Sequence, residues 1–172
     1  MEENQKIPMR SQVKKEDTWA IEDMYATVED WEKDFAAAKK VAEEAAEYAG
    51  RLGESAQALY DWSVLTEKLD CMLSEIYGYA SRVKDQDTAD AAGQTLSARA
   101  MGLYVECSGL ISFADPEILS IPEEKLEAFY AEKPELLKYR RSINEVRRCK
   151  DHILSPELEK ILADAAHSAP CR

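Results

Sequence analysis

The apolar positions of this chain recur at helical spacing. Val28, Trp31, Phe35, Ala38, Val41, Ala45 and Tyr48 fall mostly three or four residues apart and predict a first amphipathic helix. Thr27 is placed to cap it, with Asp30 three residues on as an imperfect capping box. Gly50 and Gly53 are expected to stop it. Ser55 opens a longer predicted helix with the stripe Leu59, Trp62, Leu65, Leu69, Met72, Ile76, Tyr79 and Val83. At ~1.5 Å per residue it would reach roughly 40 Å. Asp85 to Asp87 marks the next break, and Asp87 is the expected cap of a third helix. That helix carries Ala92, Leu96, Leu103, Cys107 and Leu110 on one face. Its glycines, Gly93, Gly102 and Gly109, each cost about 1 kcal/mol relative to Ala, a cost that close approach of a neighbouring helix would offset.

Residues 1–17 are polar and lysine-rich, with Pro8, and read as an extended lead-in to the short apolar patch Trp19–Tyr25. After Phe113 the pattern shortens. Asp115-Pro116-Glu117, Ser120-Ile121-Pro122-Glu123, Lys133-Pro134-Glu135 and Ser155-Pro156-Glu157 each put proline at a helix start. No β alternation and no internal repeat of fixed period is visible. The expected fold is all-α: long antiparallel helices followed by shorter Pro-started ones. A lead-in and long-helix bundle is expected over residues 1–114, and a shorter helical subdomain over 115–172.

Composition narrows the function classes. The 172 residues are 45% hydrophobic, enough for a real core. Lys+Arg 22 against Asp+Glu 34 gives a net charge of −12. Such a surface repels phosphate backbones, so no nucleic-acid partner is expected. No apolar run approaches the ~20 residues of a membrane span, so no membrane partner is expected. Met1-Glu2-Glu3-Asn4 is polar and acidic, unlike a signal peptide. The expected location is cytoplasmic.

Little in the chain points to catalysis. Cys71, Cys107, Cys149 and Cys171 lack any CxxC or CxH spacing and read as free thiols rather than zinc ligands or disulfides. His152 and His167 lie fifteen residues apart, so there is no HExxH. Nor is there a GxSxG elbow, a Walker loop or a GxGxxG turn. Asp164-x-x-His167 is a single echo of the Glu-x-x-His pairs of di-metal bundles, whose second copy is missing. His152, after Arg147, Arg148 and Lys150, reads as the cap of a helix end. Trp31, Phe35, Trp62, Tyr77, Tyr79 and Tyr104 either line a peptide groove or fill a core, and their helical spacing favours core. Arg140-Arg141 with Arg147-Arg148 is the one basic concentration, read as a solvated helix face rather than a site for an acidic partner. No catalytic, cofactor-binding or metal residue is assigned.

Several segments together resemble one family. Thr18-Trp19-Ala20-Ile21-Glu22-Asp23-Met24-Tyr25 is similar to the opening of oligoendopeptidase F sequences, and Trp31 follows where their first helix carries a Trp. Ile76-Tyr77-Gly78-Tyr79-Ala80 and Ser112-Phe113-Ala114-Asp115-Pro116-Glu117-Ile118-Leu119 resemble two further segments, in the family's order. Arg148 with His152-Ile153-Leu154-Ser155 and Glu159 resembles a fourth, and Ala163 to Pro170 a fifth. The resemblance implies a zinc metallo-endopeptidase that cuts short peptides inside a helical channel. It also implies that the zinc helix lies downstream, so that this stretch is the N-terminal portion of a longer sequence and a truncation before the catalytic domain. The expected partners are that C-terminal catalytic domain and, for the whole enzyme, short peptides. Zinc is the cofactor implied for the complete enzyme, with none in this chain. Alone, the chain is expected to be inactive and prone to self-association through apolar faces. The competing expectations are a stand-alone helical module that binds peptides or proteins without cutting them and, as a minor alternative, a di-metal bundle.

Overall fold

The computed structural model describes residues 12–149 and 156–165. Among them there are helices and turns and no strand, as the periodicity requires. Two short 3-10 turns, Lys15–Asp17 and Ile21–Asp23, lead into α1 (Val28–Ala46), α2 (Ala56–Gln86) and α3 (Ala91–Ile111). The shorter helices follow: α4 (Ala114–Ser120), α5 (Glu123–Glu132), a 3-10 segment over Pro134–Tyr139, α6 (Arg140–Arg148) and α7 (Pro156–Ala165).

The predicted caps are mostly in place. The Thr27 hydroxyl accepts from Asp30 N–H at 3.2 Å and donates to the Asp30 carboxylate at 2.9 Å. Ser55 accepts from Ala58 N–H at 3.1 Å. Helix α1 ends at Ala46, short of the expected stop, and tight turns carry the chain on to Gly50, whose φ of +80° glycine adopts without a Cβ penalty. The cap of α3 differs from expectation. Asp90, not Asp87, accepts from Ala92 and Gly93 N–H, while Asp87 follows α2 and accepts from Ala89 N–H. Two aspartates three apart compete for the same role, and the one nearer the first buried position, Gly93, takes it. Ala92 itself is exposed. The prolines lie at helix starts as read, although α4 begins at Ala114, with Pro116 inside its first turn. Ser155 lies outside the described residues.

Helices α1, α2 and α3 pack on one another as a three-helix bundle. Their shared core holds Trp31, Ala38, Val41, Ala42, Leu69, Leu73, Ile76, Tyr79, Leu96, Leu103 and Cys107. A second core gathers Leu52, Ala56 and Leu59 with Ile118, Ile121, Leu126, Phe129, Tyr130, Leu136 and Ile143. Helix α2, about 46 Å long at ~1.5 Å per residue, therefore joins both: its first turns serve the second core and its later turns the bundle. Polar ties reinforce the packing. Arg99 pairs with Glu32 across α1 and α3 and lies over the Trp31 and Phe35 rings. Tyr25 donates to Asp34 at 3.0 Å. Burial, then that bond, holds the Tyr25 hydroxyl well above the ordinary phenol range.

The glycines of α3 divide. A Cβ on Gly93 would meet Lys84 Cα at 3.1 Å and Lys84 N at 3.3 Å, so α2 does approach closely there. Around Gly102 there is open space, so close approach does not account for that glycine. Gly93→Ala is expected to cost about 1–3 kcal/mol by overpacking. Gly102→Ala is expected to gain about 1 kcal/mol from helix propensity. Urea unfolding of the two variants beside the parent chain checks the pair, and equal shifts of one sign would contradict it.

Candidate functional site

A groove runs along α2 beside the second core. Its floor is the stripe Trp62, Ser63, Thr66, Glu67, Asp70 and Cys71, spaced to share one helix face. One wall is the 3-10 segment and α6, with Lys138, Tyr139, Ser142 and Val146. The other is the end of α3 with α4, through Ile111, Asp115 and Ile118. A hollow of about 440 Å³ lies between these walls, and a second of about 360 Å³ adjoins it toward Tyr104 and Ser108. The two share Trp62, Asp70, Ile111 and Asp115.

The electrostatics of the groove are uneven. Lys138 and the Tyr139 hydroxyl both donate to one Glu67 oxygen, at 2.6 and 2.7 Å, and hold its carboxyl below the usual range. Asp70 has the opposite environment: protein crowds it and pushes its pKa up. The Trp62 indole N–H is buried without an acceptor, and its ring meets Phe113 edge-on. Such a site costs stability, because folding partly desolvates a carboxylate without pairing it. Asp70→Asn is therefore expected to raise the melting temperature at pH 7. A raised folded pKa means that the penalty is present at high pH and shrinks as pH falls through that value. The advantage of Asn should fade in the same window, and a gain that stays constant down to pH 3 would contradict the account.

The sequence-flagged side chains scatter. Trp31 and Tyr79 are buried and Phe35 is half-buried in the bundle. Tyr77 and Tyr104 are exposed, against the core reading of the aromatics. Of that set only Trp62 and Tyr104 reach the groove. The arginines of α6 are largely paired: Arg140 with Glu127 and Arg141 with Glu145 in solvent, and Arg147 with Glu123, where Arg147 is half-buried and also donates to the Ile121 carbonyl, against the solvated reading. Cys71 and Cys149 are exposed free thiols, and burial pushes the buried Cys107 up to about 11. His152, His167 and Cys171 lie outside the described residues. Among the described residues no three His, Cys, Asp or Glu side chains are grouped to hold a metal ion. The described donor set does not fit a zinc ion. Nor is any described helix long and apolar enough to cross a membrane.

Thr66 and Asp70 on α2, Asp115 on α4 and Ser142 on α6 escape sequence reading because three separate elements bring them together. The one local signal is the polar run Thr66, Glu67 and Asp70 beside Trp62 on one face of α2.

Comparison with known proteins matches this chain to one family. A family model described as Oligopeptidase F matches residues 117–170. Over 160 residues, 93% of this chain, it is 39% identical to Oligopeptidase PepF of Bacillus subtilis. The chain belongs to the oligoendopeptidase F family. Group B oligopeptidase PepB of Streptococcus agalactiae is 32% identical over 157 residues, 91% of this chain. Oligoendopeptidase F from Enterococcus faecium superposes with a TM-score of 0.75 over 83% of this chain, at 26% identity. A solved chain from Chlamydophila abortus, 22% identical, shares the fold with a TM-score of 0.76 over 95%. This chain spans about a quarter of the length of these relatives: 24% of the Bacillus protein, 26% of the Streptococcus protein and 28% of the Enterococcus chain. The family is one of metallopeptidases.

Proposed function

We propose that this chain is the N-terminal, non-catalytic portion of an oligoendopeptidase F-like zinc metallo-endopeptidase that hydrolyses short peptides. It forms part of the channel wall that limits substrate size, and zinc and the peptide-cleaving residues belong to the remaining three quarters of the fold. The observation that carries this reading is the 39% identity over nearly the whole chain, against a relative four times as long. Residues 1–114 and 115–172 act as the bundle and a smaller attached unit, in a cytoplasmic enzyme.

The exposed faces support a missing neighbour. Leu158, Ile161 and Leu162 recur at helical spacing on α7 and are 48%, 60% and 53% exposed. A stripe of this kind buries itself against another element or drives association. The catalytic part covers it in the complete enzyme, and the isolated chain self-associates through it.

The test is hydrolysis of short fluorogenic peptides by the purified chain with added zinc. The reading expects no cleavage above background, with or without a chelator. Chelator-sensitive cleavage would overturn it. A second reading, a stand-alone module that binds peptides without cutting them, is favoured by the groove on α2.

A further inference from the structure

We draw no further inference here: the strongest candidate, the exposed apolar stripe of Leu158, Ile161 and Leu162 on α7, already belongs to the contact with the catalytic part proposed above, and nothing in the structure shows which surface of a partner covers it.

Discussion

Trp31→Ala is expected to destabilise the fold by about 3–5 kcal/mol, the range for deleting a fully buried aromatic. Trp31 has no exposed surface and sits where all three long helices meet. Its indole N–H donates to the Ile76 carbonyl at 3.0 Å, which ties α1 to the middle of α2. Its ring lies against Phe35 at 5.0 Å between centroids, with the Arg99 guanidinium above both. Alanine would leave a cavity and remove the platform on which the Arg99–Glu32 pair rests. Domains of this kind hold only about 5–15 kcal/mol in total, so much of the margin would go. Thermal unfolding followed by circular dichroism measures it, and a loss below about 1 kcal/mol would mean that the bundle is not packed around this ring.

Glu117→Ala is the second large effect. Glu117 lies on α4, yet its carboxylate accepts from the backbone N–H groups of Gly50 and Leu52, in the turn between α1 and α2. That turn delivers Leu52 to the second core, where it is fully buried. One side chain thus satisfies two donors 65 and 67 residues away and fixes the short helices against the start of α2. Hydrogen bonds to a charged group contribute about 1.5–3 kcal/mol each when buried. With one of the pair exposed, Glu117→Ala is expected to cost about 2–3 kcal/mol. Glu117→Gln keeps one carbonyl acceptor and should cost less. Native-state hydrogen exchange reads the location: amides of α4 to α6 should lose protection while the α1–α3 bundle keeps it. Equal loss everywhere would show that the two cores are not separately held.

Much of the fold is legible in the chain because its determinants are local. Thr27 and Ser55 cap where their positions before apolar runs indicate, whereas α1 ends at Ala46, short of Gly50, which turns the chain afterwards. The proline starts work for the same reason, since proline cannot donate inside a helix. The choice of Asp90 over Asp87 is harder, because either could cap and tertiary contact at Gly93 decides between them. The shortening of the helices after Phe113 marks a second unit, but not that the start of α2 belongs to its core. That depends on α2 running from the second core into the bundle, which helical periodicity cannot show. The groove fails for a related reason: Asp70, Asp115 and Tyr139 belong to three elements, and nothing local marks them as neighbours. Tyr104 has the spacing of a core residue but faces outward, since α3 is covered by α1 and α2 on its other side. The family, by contrast, is visible in five short segments taken together.

The most direct test of the central claim is an exchange of parts. This chain would replace the matched segment of Oligopeptidase PepF from Bacillus subtilis, and the chimera would be assayed on short peptides and on an unfolded protein of a hundred residues or so. The account predicts that the chimera cuts short peptides at a rate within about tenfold of the parent, a barrier change of about 1.4 kcal/mol, and spares the long chain. A folded chimera that binds its metal yet cuts neither, or cuts the long chain as readily as the short ones, would contradict it.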